Sequence, residues 1–129
     1  MNKIVIDLDG TLTKPVTGEQ VDYRAVSPNH EVVARLREYR ESGFEIVVLT
    51  ARNMRTYQGD LGKINVHTLP TILEWLDRHD IPYDQVVVGK PWCGPDGFYV
   101  DDRAVRPDEF ARMSPSEIAS LIQENVDAQ

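Results

Sequence analysis

Cysteine is almost missing from this sequence. Cys93 stands alone, so no disulfide can close within the chain, and a reducing compartment is the ordinary setting for such usage. Long apolar runs are missing as well. Only Ile4-Val5-Ile6 separates Lys3 from Asp7, too little for the apolar core of a secretory signal, and no run approaches the ~20 residues of a membrane helix. Positive charge is scarce: 14 Lys and Arg against 21 Asp and Glu give a formal net charge of −7. A nucleic-acid-binding protein ordinarily shows the opposite balance. A small phosphorylated partner stays open, because a divalent cation inverts the sign of a carboxylate site. These absences predict a cytoplasmic protein with neither a membrane segment nor a nucleic-acid partner.

What is present is the composition of one globular domain, read as residues 1–129 and long enough to bury a core. Four runs dense in β-branched or aromatic residues predict strands: Lys3–Leu8, Phe44–Leu49, Gln85–Val88 and Phe98–Val100. They alternate little, which predicts strands buried on both faces of a parallel sheet. Between them lie helical patterns. Ser27-Pro28 reads as a cap followed by a first-turn proline, ahead of the stripe Val32, Val33, Leu36, Tyr39 and a stop at Gly43. Thr68 opens a second helix with Leu69, Ile72, Leu73 and Leu76 on one face. Ser114-Pro115-Ser116-Glu117 is a capping box ahead of Ile118, Leu121, Ile122 and Val126. Strands alternating with helices predict an α/β fold with a three-layer, doubly wound, Rossmann-like and mostly parallel sheet. Two connections, 10–26 and 51–67, are long enough to be functional, and both leave strand C-terminal ends, where open α/β sheets bind ligands.

Each predicted strand ends in chemistry. The first runs into Asp7-Leu8-Asp9-Gly10-Thr11, the second into Thr50, the third into Gly89-Lys90, the fourth into Asp101-Asp102-Arg103. Paired acids at the end of a buried strand are costly unless a cation or a substrate uses them. In a parallel sheet these ends point one way, so Asp7, Asp9, Thr50, Lys90, Asp101 and Asp102 are expected to converge as a hard-cation site beside an anion site. Magnesium suits such a set, because it prefers oxygen and bridges carboxylates to substrate phosphate.

The DxDGT at Asp7–Thr11, the strand-ending Thr50, Lys90 and the Asp101-Asp102 pair resemble the four ordered motifs of the haloacid dehalogenase superfamily of phosphatases, over residues 1–105. The strings GKPWCGPDGFYVDDRAVRPDEF and TARNMRTYQGDLGKINVHTLP are similar to a narrower group, small bacterial phosphatases associated with capsular-polysaccharide biosynthesis. The resemblance implies that Asp7 is the nucleophile and forms an aspartyl-phosphate. Asp9 would be general acid, then base, with its backbone carbonyl on the metal. Thr50 and Lys90 would hold the transferring phosphoryl group. Asp101 would ligate Mg2+ directly, and Asp102 would be a second ligand or a partner of one. The second acid also favours phosphoryl transfer, since dehalogenases of the superfamily lack it: a halide leaving group needs no proton.

Plainer readings exist for each residue. Asp7 and Asp9 suit a strand-to-turn junction, Thr50 a helix cap, Lys90 the surface, and Asp101-Asp102 a solvated turn; the four-motif order outweighs these. Gly10, Thr11, Arg52, Asn53 and Arg103 are substrate-binding candidates by adjacency to the motifs, and surface salt bridges suit Arg52, Arg55 and Arg103 equally. Tyr57 and Trp92 are candidates to stack on a sugar, although aromatics more often belong to a core or an interface. Lys14 and Tyr23 lie in the first long connection and His67 in the second. His30 and His79 read as helix-surface residues, and Cys93 has no base beside it. Many superfamily members carry an inserted cap, and neither long connection has room for one. A capless enzyme of this charge is expected to take a small sugar phosphate and to close its pocket with a second subunit, as a homo-oligomer. The alternatives are a phosphatase for phosphoproteins or polynucleotide ends, a phosphomutase, and a receiver-type signalling module. A receiver would need its phosphorylated acid after the third strand, where Lys90 stands.

Overall fold

Val, Ile and Leu concentrate in three short runs, and those runs make the sheet: β1 (Lys3–Ile6), β2 (Glu45–Thr50) and β3 (Gln85–Val88). In the computed structural model, which describes residues 1–16 and 21–129, the strands are parallel in the order β1-β2-β3. Ile4 lies opposite Ile46, and Thr50 lies opposite Val88. The described residues fall into two compact units, Met1–Trp92 and Cys93–Gln129, and the sheet belongs to the first.

The central strand is buried through Ile46, Val47 and Val48, as a two-sided strand should be. The outer strands correct the expectation. Val5 on β1 is 62% exposed and Val87 on β3 39%, while Ile6 and Thr50, on the opposite face, are buried. Right-handed crossovers through sequentially ordered parallel strands carry their helices to one face. That explains why Ile6, Ile46, Val48 and Thr50 are covered while Val5 and Val87 are not. The structure is therefore α/β with a small parallel sheet.

Three helices make the crossovers: α1 (His30–Glu41), α2 (Leu61–His67) and α3 (Leu69–Arg78). The stripe Val32, Val33, Leu36, Tyr39 is buried as its spacing predicts. The cap sits two residues later than Ser27, however. Asn29 is the N-cap and its side chain accepts from the Val32 N–H, while Pro28 bridges to Thr13 outside the helix. Within α3, Ile72, Trp75 and Leu76 are buried, and the Trp75 indole donates to the Val26 carbonyl at 2.9 Å. Helix α2 was not predicted: Gly62 and a thin apolar content hide it, although Asp60 caps it by accepting from the Lys63 N–H. Asp84 ties the start of β3 to β2. Its N–H donates to the Ile46 carbonyl and its carboxylate accepts the Ile46 N–H, both at 2.8 Å. That hydrogen bond, with Arg40 beside it, holds the Asp84 carboxyl below its ordinary range.

In the second unit, Ser114 and Glu117 form the expected capping box, and α5 runs Pro115–Asp127 with Ile118 buried. A shorter helix, α4 (Pro107–Arg112), precedes it with a proline and two acids in its first turn. The predicted fourth strand is absent. Phe98, Tyr99 and Val100 are exposed and join no sheet. Three residues between Gly97 and an Asp101 turn offer few ladder hydrogen bonds, fewer than an ordinary strand of about 5–6 residues makes. No helix among the described residues is long and apolar enough to cross a membrane.

Candidate active site

Beyond Ile6 the chain makes one wide turn, Leu8–Leu12, closed by the Thr13 N–H on the Leu8 carbonyl at 3.0 Å. Leu8 and Leu12 are fully buried. They pin the turn to the core, while the polar residues between them remain partly or fully exposed. Gly10 sits at φ 80°, in the left-handed region that favours glycine, and its N–H donates to the Thr13 hydroxyl. The Thr11 hydroxyl donates to Asp7 Oδ2 at 3.3 Å.

The ends of β2 and β3 meet this turn. The Lys90 N–H donates to the Thr50 carbonyl at 3.1 Å, extending the ladder by a step. Lys90 Nζ lies 3.6 Å from Asp7 Oδ1. Gly89 precedes it at φ 91°, in the left-handed region that favours glycine, and a Cβ there would come within 2.6 Å of the Leu61 side chain. Burial pushes the Asp7 carboxyl above its ordinary value. Lys90, the Leu8 N–H and Thr11 pull it down, and the neighbouring Asp9 charge pushes it up again.

Thr50 is buried, and its hydroxyl oxygen accepts the Arg52 N–H at 3.1 Å. The Arg52 guanidinium turns back to Asp9 as a fork. Nε donates to Oδ2 at 3.0 Å and Nη2 to Oδ1 at 2.7 Å. Its side chain is 2% exposed. The Tyr23 ring lies 4.1 Å from the Arg52 Cζ, within cation–π range. Burial and the Asp9 charge raise the Tyr23 hydroxyl pKa, with Arg52 opposing them. Asp7, Asp9, Thr50, Lys90 and Arg52 thus share one end of the sheet, with Gly10 and Thr11 in the connecting turn.

The other candidates are placed differently. Asn53 stands at φ 61° with its amide engaged at both ends, accepting from the Thr68 hydroxyl and donating to Thr56. Tyr57 stacks against His67 at 5.7 Å between ring centroids. Trp92 is 47% exposed. Asp101, Asp102 and Arg103 belong to the second unit, where Asp101 Oδ1 accepts the Arg103 N–H at 2.8 Å in a tight turn and all three side chains are exposed. With no strand at Phe98–Val100, the sheet does not supply the convergence expected for Asp101 and Asp102. No group of three or more His, Cys, Asp or Glu side chains stands ready to hold a metal among the described residues. The contact that sequence reasoning missed is Tyr23 on Arg52. Its only sequence signal was a tyrosine within a connection too long to be a simple turn.

One solved structure matches along nearly the whole chain: the crystal structure of an MCSG target from Vibrio cholerae, 61% identical over 96% of this chain and 98% of that one, with a TM-score of 0.92. The chain belongs to the same family as this Vibrio cholerae protein. A chain of a Pnkp1/Rnl/Hen1 complex is similar at the level of fold alone, with 18% identity and a TM-score of 0.51 over 87% of this chain and 34% of that one. No family model matches, and no curated protein does.

Proposed function

We propose that this protein is a capless phosphatase of the haloacid dehalogenase superfamily, with that superfamily's doubly wound core. It hydrolyses a phosphate monoester, a small sugar phosphate, with Mg2+ as cofactor. The observation that carries the reading is the pairing at the strand ends: Asp7 with Lys90, and Asp9 with Arg52.

Asp7 is the nucleophile. One of its carboxylate oxygens attacks phosphorus as the ester oxygen departs, and Asp9 gives that oxygen its proton. In the second half, Asp9 takes a proton from water as the water attacks the Asp7-bound phosphoryl group. Inorganic phosphate leaves and Asp7 is regenerated. Lys90 neutralises charge on the phosphoryl oxygens, and Thr50 braces the loop that carries Arg52. A metal fits by charge and by donor type. Two carboxylates and a phosphate dianion would meet two cations, Lys90 and Arg52, and the acids offer hard oxygens. Mg2+ held by the Asp7 carboxylate and the Asp9 backbone carbonyl would offset the surplus negative charge around the transferring group. The ligand roles of Asp101 and Asp102 rest on the sequence motif.

The formal net charge of −7 favours a sugar phosphate over a polynucleotide end; the Pnkp1/Rnl/Hen1 likeness, one of fold, makes the latter the comparison arm. With Mg2+ supplied, a panel of sugar phosphates, phosphopeptides and oligonucleotide 3′-phosphates should release phosphate fastest from a sugar phosphate. Release from none of them, or fastest release from the oligonucleotides, overturns the assignment.

A further inference from the structure

We infer that Arg52 is a positioning residue for Asp9, fixing the plane of the carboxylate that hands a proton to the leaving oxygen. The inference rests on the phosphatase reading above and adds to it the residue on which proton delivery depends. A carboxylate turns readily about its last bond, whose torsion is broad rather than sharply staggered. Asp9 is denied that freedom, because both its oxygens are held by one rigid fork, at 2.7 and 3.0 Å.

The fork is itself held. Its backbone N–H is bound by the Thr50 hydroxyl, Tyr23 covers its cationic face, and its side chain is almost wholly buried. An ion pair placed for stability would saturate such a guanidinium. Here Nη1 is buried without a hydrogen-bond partner among the described residues, a costly state for a cationic donor. The two nitrogens that do hydrogen-bond, Nε and Nη2, are both spent on Asp9. Each carboxylate oxygen has two lone-pair positions. Arg52 fills one on each oxygen, which leaves the outer positions for the proton in transit. A lysine at this position would keep the charge and lose the plane, since an ammonium is a point donor.

An alkyl phosphate needs a proton on its leaving oxygen, whereas p-nitrophenyl phosphate, whose leaving group is already acidic, needs it far less. In Arg52→Lys and Arg52→Gln, kcat/KM for the alkyl ester should fall about 100-fold, the lower end of what general acid–base catalysis contributes. For p-nitrophenyl phosphate the fall should stay under about tenfold, and the inhibition constant of inorganic phosphate should move less than about threefold. Free guanidinium should restore part of the alkyl-ester activity to Arg52→Ala. Circular dichroism of the three variants should match the parent. Equal losses on both esters, a phosphate inhibition constant that weakens as much as activity falls, or variants that fail to fold would make Arg52 structural or substrate-binding, and would overturn the inference alone. A parent protein inert toward both esters would overturn the phosphatase reading, and this inference with it.

Discussion

Asp7→Asn should lower turnover of a phosphate monoester by roughly four to six orders of magnitude, the scale seen when a nucleophile is removed from another covalent hydrolase. The amide has the shape of the carboxylate and none of its nucleophilicity, so the loss should fall on kcat. The same substitution should stabilise the fold. Burial raises the Asp7 carboxyl above its ordinary value, so the folded protein holds this proton more tightly than the unfolded chain does. Stability is therefore lost as pH rises from the unfolded value of 3.8 through the higher folded value. At neutral pH the full penalty is present, and asparagine removes it. Thermal unfolding of metal-free protein should show a higher Tm for Asp7→Asn at pH 7, with the difference closing as the pH falls below about 4. Retained turnover would refute the nucleophile, and a lower Tm at neutral pH would refute the electrostatic account of the site.

Removing divalent metal should also be costly, and the loss should be reversible. A phosphate monoester is mostly a dianion at neutral pH, and it must approach Asp7 beside the charge of Asp9. One of the two cations at hand, Arg52, is already committed to Asp9 through both its contacts. Each uncompensated pair at about 4 Å costs about 4 kcal/mol at an effective dielectric near 20, and each 1.36 kcal/mol is about tenfold in rate. Excess chelator should thus cut the rate at least about a thousandfold. Mg2+ added back should restore it. Activity that persists in excess chelator would exclude the metal.

The parts of this site that could be read from sequence are those that end a strand or follow one within three residues. Asp7, Asp9, Thr50 and Lys90 follow β-branched runs, so strand direction alone brings them to one end. The Arg52–Asp9 fork could not be read that way. A surface salt bridge and a substrate contact fitted Arg52 equally well. Tyr23, which arrives from the other long connection, covers it. The second half of the chain misled in a different manner. Phe98–Val100 has strand composition without strand length, while α4 carried its proline and acidic first turn in plain view. Composition reports what a segment prefers, and pairing requires a neighbour of matching length.

The claim on which everything else depends is that Asp7 becomes covalently phosphorylated. An aspartyl-phosphate is an acyl phosphate, and borohydride reduces it to homoserine. Protein quenched with borohydride during turnover and mapped by peptide mass spectrometry should carry homoserine at position 7 and aspartate at position 9. Reduction at any other acid, or none in a sample that shows a burst of released alcohol, would contradict the account.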